Sequence, residues 1–392
     1  MNFDKNIRYL FVAMFFRKLV FVYAIERLFA LERGMTVQMV VYTEIIYAVT
    51  IVLLGVPSGI LADKFGRKRL IVLGALFAFF ELGVLIFAQG FWLFGLSALI
   101  AGFGGAFKSG TWNALLYDSL LSCGKQDDFE KYLGRMRVVD YTATLIAGLS
   151  GAFLAQLFGF AFNYWLSTGS AVIAFLVSLK LCEPPKHEQD AGSKAGTWEI
   201  ISSAFAFFKR FPDVLQILIH VALIASVVVY VDEFWQVYLY DISFPVFLFG
   251  IVFATLTLIQ MPGALLAAKM LKRYSHRALI IAASFIASAG ILWAALAQHA
   301  MGIIGIAMVC FTAAFIEPIA AGYLHHRADS AARATIESAE AMIKRVFTIG
   351  VGLAFGYLST RSSIFAGFWM LGLVAVFASM VFGLIKIAPK RL

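Results

Sequence analysis

Long apolar blocks, each about the length needed to cross a bilayer, alternate along this chain with short clusters of charge. They fall at residues 6–29, 37–62, 70–89, 92–117, 138–158, 162–182, 212–238, 245–268, 278–297, 301–324, 344–360 and 364–385. A helix of roughly 20 mostly apolar residues spans the ~30 Å hydrocarbon core. The pattern predicts an all-α membrane protein with twelve transmembrane helices. Two blocks are unusual. The first holds Arg17 and Lys18 inside it, and the seventh ends in Asp232 and Glu233.

One polar stretch is long, EPPKHEQDAGSKAGTW at 183–198, and its Pro, Gly and charge suit a linker. An amphipathic segment at 199–210 follows it and suits a membrane surface. The chain therefore divides into a six-helix bundle at 1–182, a cytoplasmic linker at 183–211 and a second six-helix bundle at 212–392. The halves read as repeats. VPSGILADKFGRKRLI, after the second block, aligns with MPGALLAAKMLKRYSH, after the eighth. Pro57 falls on Pro262, Ala62 on Ala267, Lys64 on Lys269, and Arg67 and Lys68 on Lys272 and Arg273, at a constant offset of 205 positions. Such pseudo-repeats are a common plan for helical membrane proteins.

Composition narrows the class. The chain is 61% apolar and 14% charged, whereas soluble domains carry roughly a quarter charged residues. A net charge of +9 would suit nucleic acid, but its placement explains it otherwise. With the N-terminus in the cytoplasm, 26 of the 32 Lys and Arg residues fall in cytoplasmic segments, which sets orientation and puts both termini inside. The N-terminal block lacks a cleavage site and reads as a retained helix rather than a signal peptide. Cys123, Cys182 and Cys310 form neither a disulfide framework nor a metal-ligand spacing, so no metal and no cofactor are expected.

The loop after the second block, GILADKFGRKR, resembles the signature of the major facilitator superfamily, with Gly59, Asp63, Gly66, Arg67 and Lys68 at the motif positions. Gly59 permits close packing, Gly66 turns the chain, and the basic residues anchor at the cytoplasmic face. The resemblance implies that Asp63 and Arg67 gate the cytoplasmic side during the transport cycle. SGTWNALLYDSL, DEFWQVYL and ARATIESAEA resemble a poorly characterised bacterial branch, which implies the cytoplasmic (inner) membrane and favours export. The segment from Thr142 to Gly151 lacks the Gly-Pro of multidrug antiporters, and Lys108 stands near where those carry an Arg in the fourth helix.

Charges inside a span are costly and mark functional paths. In the family fold helices 1, 2, 4, 5, 7, 8, 10 and 11 line a central cavity. Arg17 at mid-depth and Lys108 somewhat below it suit an anionic or zwitterionic substrate; structural pairing with Glu44 or Glu317 suits Arg17 equally and Lys108 slightly better. Trp112, Asn113, Tyr230, Trp235, Gln236 and Gln260 are further candidate substrate contacts, though each aromatic residue alone reads more readily as packing or as part of the interfacial belt. Glu44, Asp232, Glu233 and Glu317 are the candidate proton-coupling acids, since a carboxylate that changes its access to water can load and release a proton. Glu81, on an outer helix, reads as a packing or lipid-edge residue.

The function expected from all this is secondary active transport of a small molecule by alternating access, proton-coupled, by a multi-pass protein. Its partners are the substrate, protons and the bilayer, without nucleic acid and without a second copy of the chain. One alternative is proton-coupled efflux of lipophilic cations. The other is a polytopic enzyme, resting on an HxxxD arrangement from His325 to Asp329 that no nucleophile accompanies.

Overall fold

The computed structural model describes residues 3–108, 111–184, 208–209, 211–325 and 330–385. Most of the linker, the amphipathic segment, the side-chain surroundings of Gly59 and Asp63, and the His325–Asp329 arrangement lie outside the described residues. Every long element among those described is helical. In the first half these are α1 (Phe3–Lys18), α2 (Glu26–Glu32), α3 (Val37–Phe65), α4 (Arg67–Phe87), α5 (Gly90–Lys108), α6 (Thr111–Leu121), α7 (Phe129–Phe158) and α8 (Phe160–Leu179). In the second they are α9 (Pro212–Asp241), α10 (Phe249–Leu258), α11 (Gln260–Met270), α12 (His276–Ala297), α13 (Gly302–His325), α14 (Ser330–Arg361) and α15 (Ile364–Leu384). Among the described residues, 11 segments are long and apolar enough to cross a membrane. Large apolar side chains such as Trp92, Leu265 and Leu384 stand exposed on the helices, as lipid-facing residues do.

Two compact units form. One is Met1–Ala191 with Pro245–Ala254, and the other is Gly192–Phe244 with Thr255–Leu392. The internal packing of each follows one scheme. In the first, α1 packs on α7 and α8, α3 on α5, and α4 on α5 and α8. In the second, α9 packs on α14 and α15, α11 on α13, and α12 on α13 and α15. By helical position the pairs are the same: first with fifth and sixth, second with fourth, third with fourth and sixth. Small residues set these contacts, because helices in lipid associate by close packing. A Cβ at Gly290 in α12 would lie 2.6 Å from the Gly305 carbonyl oxygen of α13.

The first helix departs from the expected continuous span over 6–29. It ends at Lys18, turns through 19–25 and resumes at Glu26. Backbone groups freed at membrane depth need partners, and α8 supplies them. Ser167 Oγ accepts from Phe21 N at 2.9 Å, and Asn163 Nδ2 donates to Phe21 O at 2.8 Å and to Gly151 O at 2.7 Å. Gly151 also clears the space into which the Phe21 carbonyl projects. Apolar patterning does not reveal this break, because residues 19–25 contain neither Pro nor Gly.

Candidate functional site

The broken first helix ends on a cationic pair that lines two cavities of the first unit. Arg17 and Lys18 occupy the last turn of α1, where the helix dipole favours positive charge. Because they are consecutive, they point to different sides. Lys18 Nζ pairs with Asp140 Oδ1 of α7 at 3.0 Å. Arg17 instead lies over the Trp112 ring, 5.0 Å from its centre, and donates to Met14 Sδ at 2.9 Å. It makes no ion pair with a described carboxylate, and its Nε is buried without a hydrogen-bond partner.

Two cavities meet around these residues. One, of about 220 Å³, is lined by Arg17, Lys18, Lys108, Trp112, Asn113 and Asp140 among others. The second, of about 200 Å³, again has Arg17, Lys18 and Lys108, with Tyr23, Glu81 and Ser167. Lys108 reaches both because glycines make room for its stem: a Cβ at Gly74 would lie 3.1 Å from its Cγ, and one at Gly104 3.8 Å from its Nζ. Four expected substrate contacts of the first half, Arg17, Lys108, Trp112 and Asn113, thus line one cavity. Trp112 also belongs to the apolar cluster of Leu10, Met14, Leu115 and Met136. Glu81 departs from its reading as a packing or lipid-edge residue, since its side chain lines the second cavity. Asp140 and Ser167 also join the site. Helical periodicity alone cannot place them, because the turn at 19–25 determines which groups converge there.

Glu44 is held in an ion pair, Arg27 Nη2 to Glu44 Oε1 at 2.7 Å. In the second unit the expected residues do not gather into one site. Tyr230 is buried, donates to Thr348 O at 2.9 Å and stacks on Phe355. Trp235 and Gln236 are buried. Asp232 is exposed, with Cys310 Sγ 4.0 Å from Oδ1, and Glu233 is half-buried beside it. Gln260 and Glu317 do come together, with Glu340 and Lys344, around a largely aliphatic cavity of about 420 Å³.

The loop motif forms a junction at the start of α4. Gly66 has φ 92°, and the Glu183 carboxylate accepts from Arg67 N and Lys68 N at 2.7 Å each. This caps two of the unpaired N–H groups at the helix start with a negative charge. The Arg67 side chain donates to Ala114 O at 3.0 Å and pairs with Asp118 of α6. Neither Glu183 nor Asp118 stands out in the motif itself.

The sequence pattern of the Major Facilitator Superfamily matches residues 9–343 of this chain. The chain belongs to the major facilitator superfamily. Two curated relatives, both from Buchnera aphidicola, are named uncharacterized transporters. The one from subsp. Schizaphis graminum is 32% identical over 143 residues, which cover 36% of this chain and 35% of the relative. The one from subsp. Acyrthosiphon pisum is 33% identical over 134 residues, 34% of this chain and 32% of the relative. Each match therefore spans about a third of the relative's length. Among solved structures, nucleoside transporter NupG superposes with TM-score 0.80 at 17% identity over 98% of this chain and 100% of its own. A D-xylose-proton symporter superposes with TM-score 0.69 at 13% identity, over 96% and 95%. At such identities the superfamily fold is what they share.

Proposed function

We propose that this chain is a secondary active transporter that moves a small anionic or zwitterionic molecule across the membrane by alternating access, coupled to protons. The observation that carries the reading is Arg17, a cation in the first unit that lines a cavity yet pairs with no described carboxylate. A half-buried guanidinium with no carboxylate in direct ion-pair contact keeps an attractive field for an anion at membrane depth. An arriving carboxylate or phosphate group supplies the counter-ion and can bind its fork by two hydrogen bonds. Lys108 adds a second cation at the same cavity, and Asn113 offers a neutral hydrogen-bonding group. The superfamily match supports transport as the activity. Proton coupling is supported by acids outside ion pairs, Asp232 and Glu317 in the second unit, and the fold is shared with a proton symporter.

The direction of transport follows from whether proton and substrate bind together or in turn. The experiment for the substrate class is a thermal-shift screen of the detergent-solubilised protein. Amino acids, dicarboxylates, inorganic phosphate, short peptides and lipophilic cations are compared, because a ligand that binds the fold raises its melting temperature. Stabilisation by members of the first four classes is expected. Stabilisation by lipophilic cations alone would replace this reading with cation efflux.

A further inference from the structure

Glu81 was not expected at the site, and its surroundings are specific. It stands on α4 and lines the same cavity as Lys108 from α5 and Arg17, Lys18 and Tyr23 from α1 and the turn after it. Gly74 and Gly104 keep the space for the Lys108 stem beside α4. The other elements against α4 bring no second free cation among the described residues. From α8 the cavity receives Ser167, Ala171 and Ala174. The acids nearby are engaged elsewhere. Glu26 of α2 and Glu44 of α3 both pair with Arg27, and Asp118 of α6 pairs with Arg67. Lys18 is held by Asp140. The charges that share this cavity without an ion pair to a described group are therefore Arg17, Lys108 and Glu81.

We infer that Glu81 is a proton site that links substrate to proton, taking up one proton when an anion occupies the Arg17–Lys108 cavity. This rests on the anion reading above. With Glu81 ionised, its charge offsets the field of Lys108, so an incoming anion meets both a neutralised cation and a like charge. With Glu81 protonated, the cavity carries the two cations alone and the anion is favoured. Anion and proton thus bind together. The proton comes from water on the side to which the cavity opens and is released when the anion leaves. Joint binding makes the two travel in one direction, so an inward proton gradient drives uptake, opposite to the export that the family resemblance favours. The sign of the pH effect follows. Affinity for the anion is flat while Glu81 stays protonated and falls about tenfold per pH unit once it ionises, as for one linked proton.

Two measurements test this, and they separate it from the substrate reading. The first needs no ligand. Infrared titration of the purified protein in lipid nanodiscs follows the C=O stretch of protonated carboxyl groups against pH. Wild type is expected to show a titrating band that Glu81→Gln lacks and that Glu81→Asp retains at a displaced midpoint. Lys108→Met is expected to move the wild-type midpoint. The second adds succinate, glutamate or inorganic phosphate to weakly buffered protein with a pH-indicating dye. At a pH above the infrared midpoint, where Glu81 is ionised in the free protein, wild type is expected to take up about one proton per bound anion. Glu81→Gln is expected to bind at every pH as wild type does at low pH, with no uptake. A Glu81→Gln protein that keeps the band, or keeps the uptake, overturns the inference while leaving the anion site standing. Absence of binding by all three probes to wild type overturns the substrate reading and with it the anion linkage, and the infrared band then decides only whether Glu81 is a proton site.

Discussion

Replacing Arg17 by alanine is expected to weaken a carboxylate- or phosphate-bearing ligand by roughly 10- to 100-fold. Loss of a charge-assisted hydrogen bond to a buried group costs about 1.5–3 kcal/mol, and each 1.4 kcal/mol is tenfold in affinity. The fold should survive, since Arg17 contributes little to it beyond the contacts with Trp112 and Met14. Binding titrations, run beside thermal unfolding without ligand, separate the two effects. Arg17→Lys keeps the charge but loses the planar fork, so it should recover only part of the affinity. A lipophilic cation should bind the alanine variant no worse than wild type. Equal losses for anions and cations would mean that Arg17 acts through the structure.

The second large effect is expected at Gly66. Its φ of 92° and ψ of 154° lie where essentially only glycine is at ease. A Cβ there would sit 2.7 Å from Glu183 Cδ and 2.9 Å from both carboxylate oxygens. Gly66→Leu therefore combines backbone strain of about 1–3 kcal/mol with loss of the Glu183 cap at α4, worth about 1 kcal/mol. A clear fall in melting temperature in detergent is expected. Glu183→Gln keeps the shape and loses the charge, and should cost only a fraction as much. If Gly66→Leu melted like wild type, the capping account would be wrong.

Much of the architecture was legible in the sequence, because lipid makes the rules strict. Blocks of apolar residues marked the spans, and the loop after the second block carried the superfamily motif. The offset that lays Pro57 on Pro262 foretold a packing scheme that the two units repeat. The candidate site was legible only in part. Arg17 and Lys108 stood out because charge within a span is conspicuous, and they do share a cavity. Glu81 was as visible as a charge but read as a packing or lipid-edge residue, because the break after Lys18 redirects the chain and depends on side-chain hydrogen bonds with Asn163 and Ser167. Those partners come from α8, far along the sequence, and apolar periodicity carries no trace of them. Tyr230 and Trp235 illustrate the reverse case: aromatic residues on a cavity-lining helix that the structure buries in packing.

The central claim is that this chain carries anions or zwitterions through the cavity around Arg17. Proteoliposomes test it most directly. Purified protein is reconstituted, an inward proton gradient is imposed, and entry of labelled succinate, glutamate and phosphate is followed beside that of a labelled lipophilic cation. The account predicts that at least one of the three accumulates with wild type, that accumulation collapses when the gradient is dissipated, and that Arg17→Ala removes it. Movement of the cation, unchanged in Arg17→Ala, with all three anions entering no faster than into empty liposomes, would contradict it.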